Sequence, residues 1–356
     1  MFKPHPYIAS DAALVFLVRR TIMNDYLKYI GDQDQLISYK EGYLSNGADQ
    51  GVRFMHVQNG SGLSATILPG RCMDIYQVRY KGFNMNYLGP CGIQGPQFYD
   101  PHGAFWLRNF FVGQLTTLGL QHYGGAEVID GEERGQHGRI GNAPAENVHY
   151  ERFTDTEGNP KLSVEGTMRE ARIFGENLTL HRKLTFSYEE NSILLEDTIT
   201  NHGFGDRQVL YALHLNYGYP MLEEGMKMYL ESEKVEPRTE EAAKYLDTWN
   251  QIEKPSYPYP ERCYFHTMKK GEDGNTGYAI FNEKRNIGVR VSYLADDFPF
   301  FCEWKMLGEG EYVLGLEPMN AFLDGPKLNQ EGCAAPILKP HESKVYKVKI
   351  DYIDKL

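Results

Sequence analysis

Residues Tyr211-Ala212-Leu213-His214-Leu215-Asn216-Tyr217-Gly218-Tyr219-Pro220 read as a buried strand that carries a histidine. Val209, Tyr211 and Leu213 alternate with Leu210, Ala212 and His214, and both faces are apolar. A strand apolar on both faces is packed on both sides, as in the core of a sandwich. An imidazole in that setting needs a hydrogen-bond partner or a substrate. Its ordinary pKa, near ~6.5, lets it give or take a proton at physiological pH. On this strand alone, a core histidine satisfied by a backbone carbonyl is the simpler reading. The rest of the chain shifts the balance.

The 356 residues carry 48 acidic and 37 basic side chains, for a net charge of −11. A net acidic chain has no general field for nucleic acid or an anionic membrane. No window approaches the ~20 apolar residues of a transmembrane helix. The early apolar run from Ala12 to Val18 is flanked by Asp11 and Arg19-Arg20 and lacks a small-residue cleavage site, so a signal peptide is not expected. The five cysteines, at 72, 91, 263, 302 and 333, are odd in number and widely spaced. They match neither a zinc knuckle nor a redox motif, and reduced thiols in a cytoplasm are the expectation. With 36 glycines, 25 tyrosines and short alternating runs, the chain suits an all-β protein with many tight turns. Tyrosine and tryptophan also suit sugar binding, because a ring face covers the apolar face of a pyranose; tyrosine is equally a good strand residue.

Residues 1–35 read as an N-terminal extension with a helical segment around 14–30, and residues 36–356 as a single β-sandwich domain. Strand signals fall at 51–58, 63–68, 74–80, 161–167, 177–188, 192–200, 207–215, 277–282, 287–294, 311–316 and 343–353. Asn59-Gly60 marks a hairpin turn. Residues 82–150 show no clean period and are rich in Gly, Pro, His and aromatics, as functional loops are. Residues 233–260 are charged and Pro-rich, with a short helix predicted at 240–245, and read as an excursion from the sheet.

Four segments could carry chemistry. Leu68-Pro69-Gly70-Arg71-Cys72-Met73-Asp74-Ile75 places Arg71 in a tight connection between strands, where it can project from the sheet rim or pair with Asp74. Gly135-Gln136-His137-Gly138-Arg139-Ile140-Gly141-Asn142 sets His137 between small residues that let backbone approach a ligand, or makes it a surface turn histidine. The third segment is the His214 strand. The fourth, Tyr312-Val313-Leu314-Gly315-Leu316-Glu317-Pro318-Met319-Asn320, ends an apolar strand on Glu317. A carboxylate buried there is either paired, to an arginine such as Arg71, or raised in pKa, as a general base requires. His122, Glu127, His137, His214 and Glu317 are suitable metal ligands by type, but no His-x-x-x-His or similar spacing joins them, and no metal or cofactor is expected.

Together the four segments resemble the galactose-mutarotase-like superfamily, and within it a bacterial branch of aldose 1-epimerase family proteins. The resemblance rests on Arg71-Cys72-Met73-Asp74-Ile75, His137-Gly138-Arg139-Ile140-Gly141-Asn142-Ala143-Pro144-Ala145-Glu146, His214-Leu215-Asn216-Tyr217-Gly218-Tyr219-Pro220 and Gly315-Leu316-Glu317-Pro318-Met319-Asn320, with Cys72 where the branch usually has glycine. It runs from about residue 36 to 352. It implies a large antiparallel β-sandwich with a few short helices and a concave sheet that holds a sugar. It also implies an acid/base mutarotase in which His214 protonates the ring oxygen and Glu317 takes the proton of the anomeric hydroxyl. His137 and Arg71 would then bind sugar hydroxyls, joined by Asn216, His122 and Arg139, while Trp106, Tyr217 and Trp304 are candidates for an aromatic wall. Arg71, Arg108 and Arg139 are candidates for holding a phosphate, sulfate or carboxylate on the substrate. Fold does not fix reaction. Other acid/base sugar chemistry (a keto-sugar epimerase, isomerase or lyase) and a non-catalytic sugar-binding protein therefore stay open. The expected partner is a small carbohydrate, and the oligomeric state, a homo-oligomer included, is left open.

Overall fold

The computed structural model describes residues 26–129, 131–323 and 335–356. Most of the predicted helical segment at 14–30 lies outside them. The described chain forms three antiparallel sheets of five, eight and six strands, with two short ribbons. The N-terminal sheet is a meander of Ile37–Tyr43, Arg53–Asn59, Leu63–Leu68, Asp74–Tyr80 and Phe83–Asn84. The Asn59 side chain shapes the expected hairpin by accepting from the backbone N–H groups of Ser61 and Leu63.

The eight-stranded sheet runs, edge to edge, through Lys227–Leu230, Asn275–Asn282, Ile287–Leu294, Ser343–Ile353, Ser192–Asn201, Asn177–Ser187, Pro160–Ala171 and Glu146–Thr154. The six-stranded sheet runs through Ser232–Pro237, Arg262–Met268, Phe300–Gly308, Glu311–Met319, Leu210–Gly218 and Leu115–Leu120. One continuous apolar core takes side chains from all three sheets, including Val57, Ile67 and Val78, then Leu180, Leu195 and Ile350, then Leu213, Leu215 and Leu316. The opposite face of the six-stranded sheet has its own apolar cluster, with Ala212, Leu118, Cys263, Cys302 and Met319 meeting Trp106 and Leu323. Both faces of the Leu210–Gly218 strand are thus covered, as its apolar pattern requires, and all nine of its residues are buried. Period-two alternation then sends Tyr211, Leu213, Leu215 and Tyr217 into the core and His214 to the other face.

Alternation also delivers two charges into the core. Arg182 follows Leu178 and Leu180 on the inward face of its strand, and Asp197 follows Ile193 and Leu195 on the neighbouring one. The two are direct partners in the register. Arg182 donates through Nε to Asp197 Oδ1 at 3.0 Å and through Nη2 to Oδ2 at 2.6 Å. Its Nη1 donates to Asp74 Oδ1 at 2.8 Å. Tyr211 donates its hydroxyl to Asp197, and Thr117 donates its backbone N–H to Asp74 Oδ2 at 3.0 Å. Asp74 belongs to the five-stranded sheet, Arg182 and Asp197 to the eight-stranded, and Tyr211 and Thr117 to the six-stranded, so a single ionic cluster ties the three sheets together. Burial lifts the Asp74 carboxyl to about 6, against the pull of Arg182 and Thr117.

The structure adds strands where the sequence suggested loops. Leu115–Leu120 lies inside the stretch read as irregular, and Ser232–Pro237 lies in the supposed excursion. Both are edge strands of the six-stranded sheet. The first, Leu-Thr-Thr-Leu-Gly-Leu, is buried at every residue, and that continuous burial erases the alternation that marks a strand. The short helix is Glu240–Ala243, capped by the Thr239 side chain, which accepts from the Ala242 N–H.

Removing Arg182 leaves Asp74 and Asp197 as buried carboxylates with too little positive charge. Arg182→Met is expected to cost about 3–5 kcal/mol of stability in urea unfolding. A loss under about 1 kcal/mol would show that the cluster does not hold the sheets.

Candidate active site

His214 and Glu317 stand on adjacent central strands of the six-stranded sheet. Leu215 pairs with Leu316 and Ala212 with Met319, so the antiparallel register sets His214 directly opposite Glu317. Their side chains leave the same face and meet at 3.2 Å, His214 Nε2 to Glu317 Oε1. Both are buried, at 4 % and 3 % exposure. The other ring nitrogen of His214, Nδ1, has no hydrogen-bond partner, nor has Oδ1 of Asn216 two residues along the same strand. The amide nitrogen of Asn216 donates to the carbonyls of His214 at 2.9 Å and Val112 at 3.2 Å, which fixes the side chain beside the histidine.

Above this pair lies a cavity of about 190 Å³. Its walls are aromatic. Trp304 approaches His214 with ring centroids 5.3 Å apart, and Phe110 does so at 5.4 Å. Trp106 packs at a tilt against Phe110, ring centroids 4.3 Å apart, and against His137 at 4.6 Å. The Trp304 indole is locked by donating to Glu261 Oε1 at 2.6 Å. His137 closes another side, its ring centroid 6.2 Å from that of His214. The segment carrying His137 is pinned over the sheet by backbone bonds. His137 N–H donates to Gly124 O at 2.9 Å, and its carbonyl accepts from Gly119 N–H at 3.2 Å. The crossing is so close that a Cβ on Gly138 would fall 2.2 Å from the His122 carbonyl.

Burial dominates the electrostatics of the cleft. It pushes the Glu317 carboxyl well above the usual carboxylate range, reinforced by Cys263 and Glu261 and opposed by Arg238. It pulls His214 down to about 4, with the Asn216 amide working the other way. It also pulls His137 far below the usual range, helped by His214, His122 and Arg238. All three shifts favour the uncharged forms. Burial thus favours carboxyl and neutral imidazole over the protonated histidine and ionised glutamate expected from the sequence.

The other residues singled out from sequence are dispersed. Trp106, Trp304 and His137 line the cleft with the central pair. Arg71 does not reach it. Its guanidinium is buried and donates to the carbonyls of Gln94 and Asn109 at 2.8 Å each, holding the loop beneath Phe110; Asp74 is taken by Arg182 instead. Tyr217 faces the core, its hydroxyl 2.7 Å from that of Tyr278, because it sits an odd number of residues from His214 on one strand. His122 spends both ring nitrogens within its own loop, on Gly125 O at 2.8 Å and Glu127 Oε1 at 3.2 Å. It lines a separate cavity, as does Arg139. Cleft residues that sequence reading passed over are Phe110, Arg238, Glu261, Cys263 and Cys302. Only strand pairing could have found the cysteines, which flank Trp304 and Glu317 in the register. Among the described residues, no cluster of three or more His, Cys, Asp or Glu is placed to hold a metal ion.

The solved structures that superpose on this chain show that its sheets have the sandwich fold of galactose-mutarotase-like proteins. A candidate aldose 1-epimerase from Klebsiella pneumoniae superposes with a TM-score of 0.84 at 22 % identity, over 93 % of this chain and 86 % of that one. A galactose mutarotase-like protein from Clostridium acetobutylicum gives 0.65 at 14 % identity, over 88 % and 98 % of the two chains. A galactose 1-epimerase from Lactobacillus acidophilus gives 0.57 at 13 %, over 89 % and 99 %. Residues 49–352 match the family described as a domain of unknown function, DUF4432, and the chain belongs to that family. No curated protein sequence matches it.

Gly315 tests the geometry of the cleft floor. A Cβ there would lie 2.9 Å from His214 Cε1, 3.1 Å from Trp304 and 3.3 Å from Glu317 Oε1. Gly315→Ala is expected to keep the fold, because the strand needs no special backbone at this point, and to prise His214 from Glu317. Its loss of turnover should approach that of substituting the pair itself. Wild-type behaviour of this variant would show that the floor is not part of the site.

Proposed function

We propose that this protein interconverts the anomers of a free aldose or a close derivative by acid/base ring opening. The observation that carries the reading is the 3.2 Å contact between His214 Nε2 and Glu317 Oε1, buried at the foot of an aromatic cleft. The cleft, at about 190 Å³, is small beside the ~300–1,000 Å³ of drug-sized pockets, which suits a single sugar ring. Trp106, Phe110 and Trp304 offer ring faces to the apolar face of such a ring. The fold relatives, which include a protein described as a galactose 1-epimerase, support the class of chemistry.

Mutarotation needs one proton delivered to the ring oxygen and one removed from the anomeric hydroxyl. The C1–O5 bond breaks, the exocyclic C1–O bond becomes a carbonyl, rotation about C1–C2 exposes the other face, and closure returns both protons. The His214–Glu317 pair holds the single proton this cycle requires. With the proton on His214, the imidazolium serves the ring oxygen and the Glu317 carboxylate takes the hydroxyl proton; moving it along the 3.2 Å contact exchanges the roles. His137, held neutral, offers a hydrogen bond to a sugar hydroxyl without adding charge. Anomeric exchange already proceeds in water, so one acid and one base of roughly 10²–10⁴-fold each suffice.

Two measurements test the reading. Glu317→Gln and His214→Asn, assayed by NMR exchange between anomers across a panel of aldoses, should each lose roughly 10²–10⁴ in rate while sugar binding persists. Near wild-type exchange in folded Glu317→Gln protein would end the assignment. The pH profile is the second. Activity requires one proton on the pair, so the acid limb reports the second protonation, near the value of about 4 to which burial brings His214. The alkaline limb reports loss of the last proton from the carboxyl that burial has raised. The profile, corrected for uncatalysed exchange, should show its acid limb near 4 and its alkaline limb displaced upward from the ordinary carboxylate range. A bell whose acid limb lies near an unperturbed histidine, about 6.5, would contradict the shared proton.

A further inference from the structure

A second cavity is larger than the cleft. It measures about 540 Å³ and lies on the far side of the segment that carries His137. It shares no lining residue with the cleft. Its volume falls within the ~300–1,000 Å³ typical of small-molecule sites.

Its charges are unevenly matched. Arg172 is compensated by Glu132 at 3.1 Å and Glu176 at 3.4 Å, and Glu133 is taken by His102 and the Gly103 N–H. Three other guanidiniums on the wall have no such partner. Arg134 donates to the Gln121 carbonyl at 2.7 Å and Arg207 to the Gly175 carbonyl at 3.0 Å, so the charge of each is left without a carboxylate among the described residues. The Arg139 side chain makes neither an ion pair nor a hydrogen bond among them, and its charge falls on Glu170 and Tyr99 only at longer range. The one remaining carboxyl, Glu170, is 7 % exposed and spends Oε2 on the Leu120 N–H at 3.0 Å. Burial lifts it to about 7, against Leu120, Arg139 and Arg134, so near neutrality it supplies less than a full negative charge. Also in the wall is Asn142, 5 % exposed, with neither its amide nitrogen nor its oxygen hydrogen-bonded. A buried amide left unpaired at both ends costs free energy unless a ligand completes it.

We propose that this cavity is a second binding site, for a small organic anion whose carboxylate or phosphate is held by Arg134, Arg139 and Arg207, with Asn142 bonding a neighbouring polar group. Guanidiniums suit such oxyanions by their planar, forked donors. A free inorganic ion would leave most of 540 Å³ unfilled, which points to an anion carried on an organic body. The inference is independent of the acid/base reading of the cleft.

Calorimetric titration of the full chain with glucose 6-phosphate, glucuronate, inorganic phosphate and glucose tests it. The two sugar anions should bind, with affinity falling as salt rises, and glucose should add no second site. The Arg139→Ala, Arg207→Ala double variant should weaken the sugar anions by about tenfold or more. Its thermal unfolding should match wild type, since the Arg139 side chain makes no hydrogen bond and that of Arg207 makes one, to the Gly175 carbonyl. Glu317→Gln should bind the anions as wild type does. Three outcomes overturn the proposal: no anion binds; the double variant binds as wild type; or Glu317→Gln abolishes binding, which would place the anion in the cleft. Anomer exchange that fails in wild type while the anions still bind would count against the cleft reading alone.

Discussion

The architecture hangs on the guanidinium of Arg182. It is fully buried, and it meets Asp197 on its own sheet, Asp74 on the N-terminal sheet and, through Asp197, the hydroxyl of Tyr211 on the third. Charges taken so far from water are costly unless every donor and acceptor is matched. Here the matching fixes three sheets at one relative height. Apolar packing alone tolerates sliding; a forked guanidinium between two carboxylates does not. Tyr211 and His214 share a strand, and Thr117, which also serves Asp74, lies on the strand beside it. The ionic cluster therefore sets the depth at which the histidine stands behind the cleft.

That cluster explains what the sequence disclosed and what it withheld. The alternation of Leu213, Leu215 and Tyr217 with Ala212 and His214 announced a strand covered on both faces, and several strands, such as Leu63–Leu68 and Ile287–Leu294, end where turn residues say they should. Leu115–Leu120 stayed hidden because complete burial leaves no period to read. Glu317 and His214 were legible as a pair through motif likeness; their opposition in the register is a property of long-range pairing and no local spacing encodes it. Arg71 misled for a related reason. An arginine in a tight turn reads as a rim residue, yet three backbone carbonyls (those of Gln94, Asn109 and Gly141) draw it inward, where it organises a loop. Tyr217 misled by parity alone: a residue near a motif faces the ligand only at even spacing along the strand.

Burial governs the chemistry of the cleft in the same way that it governs the core. The aromatic walls that would hold a sugar also strip water from the carboxyl and the imidazole, and so drive both toward neutrality. A pair in this state carries no net charge into the site, so binding a neutral ligand need not displace a counter-ion. The same walls exclude the bulk water that would compete for the proton.

The division of labour along the chain has an evolutionary consequence. The His214–Glu317 pair sits in mid-sheet on hydrogen-bonded neighbours, with Trp304 on the strand beside Glu317, while the other walls of the cleft come from elsewhere: Trp106 and Phe110 from one loop, His137 from another, Arg238 and Glu261 from the segments before and after the short helix. Insertions or exchanges in those loops alter the shape of the opening without moving the ladder that aligns histidine and glutamate.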